Sequence, residues 1–235
     1  MFNLDRKTLL ILIGLMVIVN VFTGGRSIEG ILYAIPGVIV AMTFHEFAHA
    51  WVATKLGDDT PRLQGRLNLN PMSHIDPVGL LCLVILGFGW GKPVEINPRN
   101  FDGKYSLSKA EALVAAAGPI MNFILAFVFL IIYVVFAKFA TITKTTLVIG
   151  EILISIISVN LGLGVFNLIP IYPLDGSKIL NHFLPLKVRD WIAENQNILT
   201  LIVFIIVFYT DIISYICSGI LKGMLWLITW VMGLF

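Results

Sequence analysis

Apolar runs long enough to cross a bilayer, separated by short polar loops, organise this chain from one end to the other. Uncharged runs extend from Thr8 to Gly25, Ala112 to Ala137, Ile152 to Leu174 and Asn195 to Thr210. Each is near or above the ~20 residues a helix needs to span hydrocarbon. A further run from Gly30 to Thr54 is apolar except for the pentad His45-Glu46-Phe47-Ala48-His49. Val78 to Gly89 is apolar but too short to cross comfortably and is followed by glycines, so it reads as a re-entrant or half-inserted segment. Ile198 to Phe235 is hydrophobic apart from Asp211 and Lys222, and reads either as one helix with a membrane-lying tail or as two short helices. Lys92 to Asn97 alternates in character around a proline, which suits an exposed strand edge in a small hairpin. The pattern predicts an all-α polytopic membrane protein of about six transmembrane helices, with a small membrane-associated β-hairpin. No internal repeat or low-complexity tract divides it. A single domain over 1–235 is expected, its motif-bearing core at about 30–176 and its C-terminal helices at 195–235.

Composition sharpens this picture. Hydrophobic residues make up 58 % of the chain and charged residues 13 %, and the mean hydropathy is +0.93, outside the range of a soluble domain. The first run is not followed by a small-residue cleavage site and is expected to be a retained helix. With the N-terminus in the cytoplasm, most of the 16 Lys and Arg residues fall inside, and only Arg26, Lys138 and Lys144 fall outside, Lys222 being unassigned. That asymmetry is the positive-inside pattern, provided Val78–Gly89 does not cross. The net charge of +2 therefore reports orientation in a cell membrane and not nucleic-acid binding. Cys82 and Cys217 lie in apolar surroundings and read as small hydrophobes, with no disulfide framework and no thiolate metal site.

The chemistry enters with the pentad. Residues i and i+4 of a helix share one face, so His45 and His49 can bind one metal ion. Glu46 sits beside them, where it can take a proton from a water that the metal activates. A bilayer interior penalises each of these groups by a few kcal/mol, so their presence together asks for a purpose. Two histidines satisfying one another in a helical bundle would show the same spacing. A catalytic zinc also needs a third protein ligand and an open position. His74 and His182 lie in predicted loops near prolines, and the acids in or bordering spans are Glu151, Asp175 and Asp211. Asp175 stands out because Pro170 and Pro173 break the apolar run just before it, freeing backbone groups that need a polar cavity. The predicted topology also returns it to the depth of the pentad. As an alternative it could serve only as a helix N-cap.

Three motifs in this order carry a resemblance. His45-Glu46-Phe47-Ala48-His49, then Gly118-Pro119-Ile120-Met121-Asn122, then Asn167 with Pro170 and Pro173-Leu174-Asp175-Gly176, together resemble the site-2 protease family of intramembrane zinc metalloproteases. The stretches from Arg66 to Gly79 and from Lys92 to Pro98 also look like family segments, and the resemblance covers roughly Gly37 to Gly176. It implies one zinc ion held by His45, His49 and Asp175, with Glu46 as general base. It implies further that Asn122 faces the cleft and helps orient the substrate carbonyl or stabilise its developing oxyanion, and that Asn167 contributes similarly. The implied activity is hydrolysis of peptide bonds within or near transmembrane segments of membrane-protein substrates. Separately from the resemblance, the alternating Lys92–Asn97 segment suits strand addition to an unwound substrate, an ordinary polar hairpin being the alternative.

Two other classes share parts of this pattern. A transporter places carboxylates, histidines and broken helices near the midplane, but normally in paired halves, and no second copy of either motif is present. A non-catalytic membrane binding module could retain the metal ligands, yet it has no need of Glu46. The sequence does not identify the substrate or the oligomeric state.

Overall fold

The computed structural model describes residues 28–86, 91–231 and 233. Its long helices are α1 (Ile28–Lys55), α5 (Leu107–Phe139), α6 (Lys144–Asn167) and α10 (Ile212–Val231). Between α1 and α5 run the short helices α2 (Thr60–Leu63), α3 (Pro71–His74) and α4 (Pro77–Leu86), then a 3-10 turn at Pro98–Asn100. After α6 come α7 (Asp175–Phe183), α8 (Leu186–Glu194) and α9 (Gln196–Tyr209).

Helices α1, α5 and α6 pack against one another as the body of the fold. Their contact faces are built from small residues, among them Ala34, Ala41, Ala48 and Ala53 on α1, Ala112, Ala115 and Ala126 on α5, and Gly164 on α6, all buried. In lipid no hydrophobic force pushes helices together, so close backbone approach over small side chains supplies the packing. Large side chains point the other way: Ile120, Ile124, Val128, Ile131 and Val135 recur at helical spacing along α5 and are exposed. That stripe is the lipid-facing surface of a membrane helix. Helix α10 closes one side of α5 and α6 by placing Ile228 against Ala126, Leu130, Ile157 and Leu161.

Among the described residues, four helices are long and apolar enough to cross a membrane, or five if the bent pair α8–α9 counts as one span. The expected six are therefore not all found, for two reasons. The first expected span, Thr8–Gly25, lies outside the described residues. The Asn195–Thr210 run forms a helix of only 14 residues, about 21 Å long at the helical rise, and it meets α8 at 76°. The ambiguous C-terminal stretch resolves into two helices, α9 and α10, with Thr210 and Asp211 between them. Of the expected Val78–Gly89 segment, the described part lies in the ten-residue α4, about 15 Å long, and residues 87–89 lie outside the described residues.

The β-hairpin is not seen. Gly91 makes one isolated antiparallel bridge to Ile75, and no strand is present among the described residues. The reason lies in where the backbone groups of Lys92–Asn97 go. Lys92 N–H donates to His74 O at 2.9 Å, Val94 N–H to Glu46 at 3.0 Å, and Asn97 N–H to Asp58 at 2.7 Å. Pro93 has no N–H to give. The segment is extended, but it is fastened to side chains and a helix end instead of to a second strand.

Candidate metal centre

The pentad occupies the second half of α1, with His45 and His49 buried and facing α5. Chain geometry brings Asp175 to them. Helix α6 ends at Asn167, and a turn through Pro170 and Pro173, with a cis peptide bond at Tyr172–Pro173, leads into α7. That turn folds tightly under the first residues of α7. A methyl group on Gly176 would lie 2.4 Å from the Leu168 carbonyl oxygen, so only glycine permits it. Asp175 then points from the helix N-terminus toward α1, a position the helix dipole favours for a carboxylate.

Three atoms converge. The Nε2 atoms of His45 and His49 are 3.1 Å apart, and each is 3.2 Å from Asp175 Oδ2. A tetrahedral ion with bonds near 2.0 Å spaces its ligands by about 3.3 Å. The tautomers of both rings follow from their other nitrogens. His49 Nδ1 is 2.7 Å from the Val114 carbonyl oxygen, which can only accept, so Nδ1 carries the proton. His45 Nδ1 is 2.7 Å from Asn122 Oδ1. The Asn122 amide is oriented by its nitrogen, which donates to the Ala41 carbonyl at 3.1 Å and to Asn160 Oδ1 at 3.0 Å. With both protons on Nδ1, the two Nε2 lone pairs and a carboxylate oxygen face one another with no donor among them. Asp175 Oδ2 is buried and has no hydrogen-bond partner. A cation held among the three atoms satisfies the trio, as would a proton on one Nε2 donated to Asp175.

The space for that charge is also specific. A methyl group built on Gly118 would fall 2.5 Å from His49 Nε2 and 2.7 Å from His45 Nε2. Glycine at this point of α5 leaves a recess over the ligand atoms that any other side chain would fill. Donor set, spacing and recess therefore fit a zinc ion.

Glu46, the next residue along α1, is half-buried, and its Oε2 accepts the Val94 N–H. The segment carrying Val94 is clamped by Arg66, whose guanidinium donates to the carbonyls of Ser73 and Lys92. Burial is the chief influence on Arg66 and holds its pKa below the usual value, against the opposing pull of Glu46 and Glu95. Farther along, Asp58 is fully buried just beyond the end of α1. It accepts from Thr60 N and Oγ1, Asn97 N and Asn100 Nδ2.

The other sequence candidates stand apart. Glu151 and Asp211 are exposed, and among the described residues only His45, His49 and Asp175 form a cluster able to hold a metal. His182 faces Ser108 at 3.4 Å, and His74 is fully buried with Nε2 on the Asn68 carbonyl. Asn167 is half-buried, its amide donating to Leu163 O in its own helix. Asn122 is fully buried behind His45 with its amide engaged on every side. Sequence reasoning assigned no role to Asn160, Arg66 or Gly118, although Gly118 lies in the Gly-Pro motif and Arg66 opens one of the family-like segments.

The chain has relatives among known proteins. Residues 33–210 match peptidase family M50. "Putative zinc metalloprotease YwhC" of Bacillus subtilis is 39 % identical over 193 residues, covering 81 % of this chain and 86 % of that protein. "Putative zinc metalloprotease Rip2" of Mycolicibacterium smegmatis is 31 % identical over 98 residues, 40 % of this chain and 37 % of the relative. Its Mycobacterium tuberculosis counterpart is 30 % identical over 116 residues, 45 % and 44 % of the two chains. No solved structure matches the chain.

Proposed function

The chain belongs to peptidase family M50, the site-2 protease family, and from that premise we propose that it is an intramembrane zinc endopeptidase. Its substrates in this reading are membrane proteins, cut within or near a transmembrane segment. The observation that carries the reading is the convergence of two histidine nitrogens and a carboxylate oxygen at 3.1–3.2 Å beside Glu46. His45, His49 and Asp175 would hold the zinc. When bound, it lowers the pKa of water toward neutrality and polarises the scissile carbonyl. Glu46 accepts a proton from the attacking water as the new C–O bond forms. It then returns that proton to the amine nitrogen as the C–N bond breaks. Val94 N–H steadies the Glu46 carboxylate during both transfers. Asn122 acts through His45 and is a positioning residue in this scheme.

A transmembrane helix hides its carbonyls in its own hydrogen bonds, so the substrate must unwind locally before attack. We place the extended Lys92–Asn97 segment as the partner that receives it, through the backbone groups of Glu95 and Ile96. In this reading the N-terminus lies in the cytoplasm and the site nearer that face, a choice supported by the Lys and Arg residues in the loops beside α1 and α7.

Glu46→Gln separates this reading from its rivals. The variant should keep its zinc and lose peptide cleavage, and membrane fractions should lose the single-span fragments that the active protein generates. Undiminished cleavage by Glu46→Gln would overturn the proposed chemistry.

A further inference from the structure

We propose that Asn160 is a positioning residue of the metal centre, acting through Asn122 to fix which nitrogen of His45 is offered to the metal. The inference rests on the reading of His45, His49 and Asp175 as a zinc site. Asn160 lies on α6, is fully buried, and touches none of the three ligands in the hydrogen-bond network. A free amide in a membrane helix interior is expensive unless it is bonded, and this one is bonded in one direction only. Its Nδ2 donates to the Ile156 carbonyl at 2.8 Å. A carbonyl can only accept, so the amide cannot turn over, and Oδ1 must face Asn122.

Asn122 passes that polarity on. One of its N–H groups donates to Asn160 Oδ1 at 3.0 Å and the other to Ala41 O at 3.1 Å. With both N–H groups held, Oδ1 is left toward His45 Nδ1 at 2.7 Å. His45 must therefore donate from Nδ1 and present the Nε2 lone pair to Asp175 and His49. The relay runs from α6 through α5 to α1 and contains no charged group, as suits its depth. Metal-binding histidines normally owe their tautomer to a carboxylate or a backbone carbonyl. His49 follows that rule through Val114 O, whereas His45 depends on two amides in series. Ala41 O holds one edge of the Asn122 amide, and Asn160 holds the other and stops it from swinging about that single bond.

The test compares Asn160→Asp, Asn160→Leu and Asn160→Ala in the full-length protein in detergent. Zinc affinity is read by chelator competition, and the melting temperature is read on the zinc-free protein. Protonated Asp at this depth keeps both a carbonyl for Asn122 and an O–H for Ile156 O, so it should retain near-normal affinity. Leu and Ala should weaken zinc binding about tenfold or more, the usual effect of losing a partner behind a ligand. The same Leu change in an Asn122→Leu background should have no further effect on affinity. Wild-type affinity in Asn160→Leu and Asn160→Ala overturns the relay. So does a loss in Asn160→Asp equal to that in Leu, or affinity that merely tracks the melting temperature of the zinc-free protein. A wild-type chain that binds no zinc overturns the metal centre itself, a separate and recognisable result.

Discussion

The backbone N–H of Val94 donates to the carboxylate of Glu46 across 3.0 Å. The group assigned to proton transfer is thus held by the segment assigned to meet the substrate. This relationship separates two effects that a simple edge-strand picture would confuse.

Proline at 94 removes the donor that holds Glu46, so Val94→Pro should lower cleavage even for a substrate that needs no strand pairing. Proline at 96 is the cleaner probe, because the Ile96 N–H has no partner among the described residues. Ile96→Pro should slow cleavage of a transmembrane substrate about fivefold, the effect of losing one backbone bond worth ~1 kcal/mol. Zinc content should stay normal. Unchanged rates with Ile96→Pro would remove strand addition from the proposal and leave the zinc chemistry standing.

Much of this is legible in the sequence itself. His45, Glu46 and His49 declare themselves by i, i+4 spacing, and Asp175 by the prolines ahead of it, because both signals are local. The spans of α1, α5 and α6 follow from length and hydropathy alone. What could not be read were the cross-chain relationships. Asn122 and Asn160 are two ordinary asparagines in apolar helices until their 3.0 Å contact is seen. Gly118 is a common membrane-helix glycine until a methyl there is found to strike both imidazoles. The hairpin failed for the same reason. Alternation and a proline describe an extended segment, but they do not say whether its N–H groups meet a strand or the side chains of Glu46 and Asp58.

Metal analysis tests the ligand trio directly. The purified protein should carry about one zinc, the number a three-ligand catalytic site holds. His45→Ala and Asp175→Ala should lose most of it, since each leaves only two ligands. Retention of full zinc by Asp175→Ala would move the third-ligand role to another acid and contradict the 3.2 Å contacts of its Oδ2.

Gly118→Ala sets helix propensity against metal binding. Alanine in a helix interior is favoured over glycine by about 1 kcal/mol, so on propensity alone the variant should not melt earlier. The added methyl would nevertheless sit within 2.7 Å of both Nε2 atoms. Zinc affinity should therefore fall sharply while the helical content stays constant. A variant that binds zinc normally would show that the recess over the ligands is not needed.

Asp58 offers a pH-dependent test outside the membrane-spanning helices. Burial pushes its carboxyl upward, but hydrogen bonds from Thr60, Asn100 and Asn97 outweigh that and leave the pKa below its ordinary 3.8. A carboxylate whose folded pKa is depressed adds stability above the unfolded pKa, and that stability is lost as pH falls through the folded value. The bonds tie the end of α1 to the 97–100 turn, so the stability in question is that of the loop beside Glu46. Asp58→Asn turns one acceptor into a donor facing the donors of Thr60 or Asn97, which should cost about 1–3 kcal/mol at neutral pH. Melting temperatures of the two proteins should differ by a constant amount above about pH 5 and draw together as pH falls below the ordinary 3.8 and through the lower folded value. A gap that persists unchanged into strong acid would mean that Asp58 acts by shape and not by charge, because only ionisation gives the difference its pH dependence.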